Sequence, residues 1–186
     1  MKPAWHERLK TSIAKNRRDA HNRYFQLATL ALDGTPRVRM VVFRGFSKEG
    51  LSLFIITDTR SQKINDLASC SSVEIGWYFT HTREQYRLRC ESQIYAASND
   101  SSVSLDRRES IWASLSEAAK AQFFWKTPGV PDGTGDGPAV SDSPPDTFAV
   151  ISFEPLIVDH LVLAKKQSRT ISVLEGDDWF EQALNP

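Results

Sequence analysis

Two stretches decide how this chain folds: Arg37-Val38-Arg39-Met40-Val41-Val42-Phe43-Arg44 and Ile56-Thr57-Asp58-Thr59-Arg60-Ser61-Gln62-Lys63. The first places arginines among apolar residues and reads as a strand. The second reads as a strand end turning into a helix, with hydroxyls and cations gathered at the turn. Side by side they make a phosphate site built on a β-sheet. The hydroxyls of Thr57 and Ser61, the free amides of a first helical turn and the Lys63 ammonium can all donate to an anion there. Helix polarity adds further attraction. Taken alone, the same turn is also compatible with an ordinary capped helix and a solvated lysine. Arg39 shifts that balance. A lone guanidinium among Val38, Met40, Val41 and Val42 is costly to bury, so it requires an anionic partner, either a ligand or a buried carboxylate. Arg37, at the strand start, is expected to be solvated.

The elements around these stretches follow from periodicity. Trp5, Leu9 and Ile13 recur at i, i+4 and i+8 and predict an amphipathic helix over 3–20. Asp33-Gly34-Thr35-Pro36 is a turn signal between strands 25–32 and 37–46. A third strand, 51–56, follows the turn at Lys48-Glu49-Gly50. Thr59 or Ser61 is placed to cap a helix whose apolar face is Ile64, Leu67 and Ala68. Strands 73–80 and 85–95 form a second hairpin, in which Tyr86, Leu88 and Cys90 alternate with Arg87, Arg89 and Glu91. Residues 103–125 read as helical, with a break near Ser114-Leu115-Ser116. A Gly/Pro/Asp/Ser-rich stretch at about 127–146 reads as a surface loop within one domain spanning 1–186. Strands 147–153, 156–163 and 170–174 follow. Antiparallel hairpins dominate, and neither a βαβ rhythm nor a Gly-x-Gly-x-x-Gly motif is present. The expected class is therefore mainly β with peripheral helices, an antiparallel barrel rather than a doubly wound sheet.

Composition bounds the function. The chain has 186 residues and zero formal net charge, so a general affinity for nucleic acid is not implied. Charge is nonetheless uneven: residues 1–50 carry eleven Lys/Arg against four Asp/Glu, and residues 131–186 carry three against ten. These halves can face each other in one chain or across a dimer. Two cysteines make no disulfide framework, and no long apolar run or signal-peptide segment appears. A cytoplasmic protein without a membrane span is expected. His6, His21, His81 and His160 lack ligand spacing, so no metal is expected. No serine sits in a nucleophile elbow. Gln85 opens a strand beside Tyr86, where its amide can both donate and accept, as the edge of a flavin or pyrimidine ring requires; it is equally an ordinary polar strand residue.

With those segments placed, the chain resembles the pyridoxamine 5'-phosphate oxidase-like flavin-binding superfamily over roughly residues 20–95 and again over 147–186. Arg39-Met40-Val41-Val42-Phe43-Arg44 looks like that family's first flavin-binding strand, and Ile56-Thr57 with Ser61-Gln62-Lys63 looks like its phosphate-binding turn. Gln85 falls where the family has a flavin-contacting glutamine. Arg169, followed by Trp179 and Leu184-Asn185-Pro186, looks like its C-terminal pattern. The Trp125–Gly129 segment with its Pro/Gly-rich insertion is similar to a short flavin-binding subfamily rather than the oxidase itself. The resemblance implies a six-stranded split β-barrel, homodimeric, with FMN at the subunit interface. Arg39, Ser61 and Lys63 would hold the phosphate. The backbone of Met40, Val41 and Val42 and the Gln85 side chain would face the ring system, with Arg44, Ile56, Thr57 and Gln62 completing the cofactor site. Arg169, and more weakly Gln122, would reach the flavin from the other subunit.

The departures are specific. The family oxidase has an arginine beside the phosphate-binding lysine, where this chain has Gln62. It has a lysine closing the first motif, where this chain has Arg44. Its Arg-x-His grip on pyridoxine phosphate would fall near Lys165-Lys166-Gln167, which does not match, and a tryptophan on the preceding strand corresponds to Leu161. These readings favour an FMN-dependent oxidoreductase of unassigned substrate, with no residue standing out as a catalytic acid or base. The alternatives are a non-catalytic flavin or tetrapyrrole binding module, authentic pyridoxamine 5'-phosphate oxidase, which the missing Arg-x-His disfavours, and a dimer that has lost its cofactor.

Overall fold

The computed structural model describes residues 2–47, 50–98, 101–129 and 141–186. Helix α1 (Ala4–Lys15) buries Trp5 and Leu9 on the face that the i, i+4 spacing requires. A 3-10 turn (Ala20–Arg23) leads into β1 (Tyr24–Leu30), β2 (Pro36–Val42) and the two-residue β3 (Gly45–Phe46). Strand β4 (Leu53–Asp58) runs into helix α2 (Gln62–Ser69), and β5 (Ser72–Phe79) pairs with β6 (Glu84–Tyr95). Helices α3 (Ser102–Ala113) and α4 (Glu117–Ala121) and a 3-10 turn (Gln122–Phe124) come next, then β7 (Phe148–Val162), β8 (Ser168–Glu175) and β9 (Asp178–Leu184). The helical segment thus breaks at Ser114–Ser116, where the sequence placed the break.

Every strand pairing is antiparallel, and the spatial order is β2-β1-β5-β6-β7-β4-β3, with β8 and β9 branching from β7. The sheet curls on itself, and the Arg44 amide after β2 donates to the Phe54 carbonyl of β4 at 3.0 Å. It does not close. The fold is a mainly antiparallel β-structure of the split-barrel type. Six strands (β1, β2, β4, β5, β6, β7) form the curled body, as expected, and among the described residues the short β3 and the β8–β9 hairpin bring the sheet to nine strands. The β8–β9 hairpin extends it, and β9 went unread because its side chains are mostly exposed. Its backbone ladder with β8, not apolar alternation, holds it.

Strand β7 corrects a second expectation. The strands expected at 147–153 and 156–163 are one continuous strand of 15 residues that runs through Pro155. Proline lacks the donor a ladder needs. The pairing adjusts by a register shift between Arg89 and Cys90 of β6, with Cys90 opposite Pro155 and Arg89 opposite Ile157. The bulge absorbs the missing bond and keeps the strand extended.

The inward faces pack Phe25, Leu27, Leu53, Ile55, Trp77 and Phe153 with Trp5 and Leu9 of α1. A second apolar cluster of Tyr95, Trp112, Phe123, Phe148 and Val150 seats α3 and the 3-10 turn against β7. Arg108 is buried there, and its guanidinium donates to the Phe148 and Pro145 carbonyls at 3.0 and 2.8 Å. It fixes the return of the chain into β7. Of the Gly/Pro-rich stretch at about 127–146, residues 130–140 lie outside the described residues, as do Lys48 and Glu49 of the turn before β4.

Candidate functional site

Helix α2 begins directly below the end of β4, and this junction gathers the polar groups. Lys63 Nζ donates to Thr57 Oγ1 at 2.8 Å and to Ser61 Oγ at 2.9 Å. The two hydroxyls are 3.3 Å apart. Ser61 occupies the helix-capping position, but its hydroxyl makes no capping bond; it is turned toward the lysine instead. Lys63 has no carboxylate partner among the described residues. Burial, and then the positive charge of Arg39, push its ammonium below the usual lysine range, with Asp58 and Asp66 only partly offsetting them. A half-buried cation solvated by two neutral hydroxyls is an incomplete arrangement. An anion seated there would supply the missing charge.

Arg39 lies on the inward side of β2, opposite Leu27 of β1. Its partner is the buried carboxylate of Asp66, on α2, at 2.9 Å. Arg39 also donates to Thr29 Oγ1 and to the Leu27 carbonyl. Arg37, expected to be solvated, instead places one donor 3.1 Å from the same carboxylate while staying half-exposed. Ala68 is exposed, not part of the buried helix face; that face is completed by Asp66 beside Leu67. Asp66 is therefore a residue the sequence reading missed. The available signal was an acid three positions after Lys63, on the same side of the helix. Arg60 turns away: its guanidinium grips Asp58 and reaches the Trp125 carbonyl at 3.1 Å, which ties the turn to the segment after the 3-10 turn.

The remaining candidates divide between the two faces of the sheet. Met40 is outward and 57% exposed, whereas Val41 is in the core. Val42 is half-buried at the end of β2, and Ile56 packs toward the second cluster. Gln62 is exposed at the start of α2. Arg44 follows β2 with a buried Nε that has no hydrogen-bond partner. Burial and then the nearby charge of Arg23 depress its guanidinium, and no carboxylate pairs with it among the described residues. Gln122 is set apart, its amide folded back onto the Ala119 carbonyl at 2.8 Å.

Gln85 is on the outer face. It lines a cavity of about 390 Å³ with Gln26, Gly76, Trp77, Tyr78 and Arg87. A side chain at Gly76 would crowd it, because a Cβ there would lie 3.1 Å from Gln26 Oε1. This glycine inside a strand was the unread signal for the cavity. Across the sheet Gln85 is opposite Leu161, and Leu161 is opposite Arg169. Gln85 and Arg169 therefore share one row on one face. Arg169 is held by Asp159 through two bonds of 3.0 and 2.7 Å, which raise its already high pKa. The structure thus brings Thr57, Ser61, Lys63 and Arg39 together, and separately aligns Gln85 with Arg169. It leaves Gln122 outside both groups. Among the described residues no group of three His, Cys, Asp or Glu is placed to hold a metal ion.

Comparison with known proteins bears on this geometry. Residues 2–96 match the family model described as pyridoxamine 5'-phosphate oxidase, FMN-binding domain. That segment contains β1, β2 and β4, the α2 turn and Gln85. The pyridoxine/pyridoxamine 5'-phosphate oxidase 2 of Arabidopsis thaliana is 33% identical over 191 aligned residues, covering 98% of this chain and 96% of that protein. A pyridoxamine 5'-phosphate oxidase-related, FMN-binding protein from Nostoc punctiforme superposes with a TM-score of 0.96 at 33% identity over the whole of both chains. PhzG from Burkholderia lata, at 16% identity and a TM-score of 0.75, shares the fold. The residues at the α2 turn fit a phosphate monoester, and the chain belongs to the pyridoxamine 5'-phosphate oxidase family through its FMN-binding domain.

Proposed function

We propose that this protein is an FMN-dependent oxidoreductase whose cofactor phosphate is held by Lys63, Ser61, Thr57 and Arg39. The observation that carries the reading is Lys63: a half-buried ammonium bonded, among the described residues, only to two hydroxyls, beside a second cation. Bound FMN supplies hydride or electron transfer; the protein supplies binding, orientation and electrostatics. Arg39 and Lys63 contribute charge-assisted bonds to the phosphate, Ser61 and Thr57 neutral ones. The Gln85 amide, with a donor and an acceptor to offer, reads the ring edge from the outer face.

The same geometry supports a homodimer. Lys63 and Arg39 lie on the inner side of the sheet edge, while Gln85 and Arg169 face outward, so one ligand meets both groups only if a second copy completes the site. The outer face of β1, β2 and β5 carries exposed Tyr24, Leu30, Val38, Met40 and Tyr78. Such an apolar patch is what a self-complementary interface requires. Two free thiols, Cys70 half-buried and Cys90 buried, fit a reducing cytoplasmic compartment. No helix among the described residues is long and apolar enough to cross a membrane.

Titrating the apo-protein with FMN, FAD and riboflavin tests the cofactor. FMN should bind tightest, because the turn accommodates a terminal monophosphate; equal or tighter FAD binding overturns the reading. Reduction by NADH or NADPH, and oxygen uptake, separate an enzyme from a module that binds flavin without cycling it. Mixing Arg39→Ala and Arg169→Ala chains should restore one intact site per heterodimer; a monomer that holds FMN tightly overturns the shared site. A second reading, that the substrate is pyridoxamine or pyridoxine 5'-phosphate, is favoured by the full-length likeness to the Arabidopsis oxidase. Arg44, with its unpartnered Nε and Arg23 nearby, is a cation available to a second phosphate. The Lys165-Lys166-Gln167 segment, lacking Arg-x-His, counts against it. Oxygen consumption on adding pyridoxamine 5'-phosphate distinguishes the two.

A further inference from the structure

We propose that Asp66 is a positioning residue for the FMN phosphate: its carboxylate clamps one edge of the Arg39 guanidinium and leaves the other edge for the anion that Lys63 awaits. The inference rests on the FMN reading above. Helix α2 sets Asp66 three residues beyond Lys63, so both side chains lie on the same side of the helix. Asp66 is 2% exposed, and a carboxylate at that depth must be paired. Its Oδ2 accepts from Thr29 Oγ1 at 2.8 Å and from Arg39 Nη2 at 2.9 Å, and its Oδ1 accepts from Arg37 Nη1 at 3.1 Å. The Thr29 hydroxyl works in both directions, donating to Asp66 and accepting from Arg39 Nη1 at 2.5 Å. A further bond from Nη1 to the Leu27 carbonyl, at 3.3 Å, completes the clamp.

A guanidinium has five N–H donors in a fixed fork. The clamp takes both on Nη1 and one on Nη2, which leaves Nε–H and the second Nη2–H without a partner among the described residues. Arg39 is thus held rigidly by one side with two adjacent donors unspent. Charge completes the argument. Around the turn stand Arg37, Arg39, Arg60 and Lys63 against Asp58 and Asp66, an excess of two positive charges. A phosphate monoester carries about −1.5 to −2 at neutral pH, so the excess matches the ligand.

Two effects of Asp66 oppose each other, and that makes the proposal decidable. As a bare charge it repels phosphate, so Asp66→Asn should tighten FMN. As a clamp it orders Arg39, so the same change should loosen FMN. We expect loosening by roughly tenfold, the loss of one ordered charge-assisted bond, with riboflavin affinity unchanged and partial recovery in Asp66→Glu. Fluorescence titration of wild type and variants with FMN and with riboflavin reads this directly. Unchanged or tighter FMN binding in Asp66→Asn overturns the inference and leaves the FMN reading standing. Equal losses of FMN and riboflavin show only a structural role and also overturn it. A wild type that binds riboflavin as tightly as FMN overturns both. Should Asp66→Asn not fold, Thr29→Val decides by the same criteria, because it removes the relay hydroxyl without changing any charge.

Discussion

Two buried polar clusters sit at different places on this sheet, and their books balance differently. Under α1, Glu84 accepts from Ser12, whose hydroxyl is also 2.9 Å from the Tyr86 hydroxyl. The Tyr86 ring stacks on His160 with centroids 4.2 Å apart, and His160 Nε2 lies 3.5 Å from the Glu84 carboxylate. Asn16 bridges the Ser12 carbonyl, the Thr82 hydroxyl and the His81 amide. Here one carboxylate meets hydroxyls and an imidazole, and the result is a clasp fastening α1 to the barrel end. At the α2 turn, by contrast, cations exceed carboxylates and donors are left over. Burial does not separate the two clusters; the balance of charge does. A network whose charges balance is sufficiently explained by structure, whereas a surplus of one sign marks the turn as a candidate anion site.

The sharpest way to break this contrast is to remove the surplus. Lys63→Ala deletes the ammonium that lacks a carboxylate partner among the described residues. A charge-assisted bond shielded from water is worth about 1.5–3 kcal/mol, so FMN affinity should fall roughly tenfold to a hundredfold. Riboflavin, which has no phosphate, should bind the variant as it binds wild type. Thermal stability should hold or rise, because an unpaired half-buried cation is lost. A parallel fall in riboflavin affinity, with the fold intact, would mean that Lys63 is not a phosphate ligand.

The clasp should give the opposite pattern. Burial alone would raise the Glu84 carboxyl, but the nearby His160 imidazole and the hydroxyls of Ser12 and Thr82 outweigh it and hold the group at about 2. The sign follows from that depression. Its stabilisation is fully present above the ordinary glutamate value of 4.5 and is lost as pH falls from there through about 2. Glu84→Gln should therefore destabilise the protein by about 1–3 kcal/mol at neutral pH and should flatten the acid limb of a plot of Tm against pH between those values. FMN affinity should not change. Loss of FMN binding in a folded Glu84→Gln protein would show that the two clusters communicate, and the distinction drawn between them would fail.

How much of this was legible in the sequence differs between the parts of the site. Thr57, Ser61 and Lys63 are close along the chain, so the turn could be read directly. The need of Arg39 for an anion was also readable, from an arginine among valines. The identity of its structural partner was not. Asp66 meets Arg39 only when the β1–β2 register and the helical phase of α2 are known together, and no single periodicity contains both. Of the two answers offered for Arg39, the carboxylate is present as Asp66, and it does not exclude a ligand, because a guanidinium has enough donors for each. Gln85 was singled out by its position in the chain, but the cavity it lines depends on Gly76 and Gln26 on neighbouring strands. Where the hydrophobic pattern was the signal, as in the two hairpins, elements were placed within a few residues, and the helix expected over 3–20 starts on time but ends at Lys15, just after its last apolar position, Ile13. The pattern failed at β9, which is held by its ladder, and at 147–163, read as two strands, where a bulge at Leu156 within β7 lets one strand run on past Pro155.

The smallest effect expected is at Ser61, and it probes the contrast most finely. The Ser61 hydroxyl stands at the helix-capping position yet makes no cap; it accepts from Lys63 and lies beside Thr57. If the turn existed for the helix alone, Ser61→Ala would change little, since no capping bond is lost. If the turn exists for the anion, the hydroxyl has two tasks. It helps solvate Lys63 before the ligand arrives, and it turns to donate to phosphate afterwards. A neutral hydrogen bond contributes about 0.5–1.5 kcal/mol, so FMN affinity should fall about two- to tenfold. Riboflavin affinity should be unaffected and the Tm nearly so. Ser61→Thr, which keeps the hydroxyl, should stay close to wild type. An FMN affinity unmoved by Ser61→Ala would confine the anion site to its charged members. A drop in Tm without a drop in affinity would return Ser61 to the ordinary work of starting a helix.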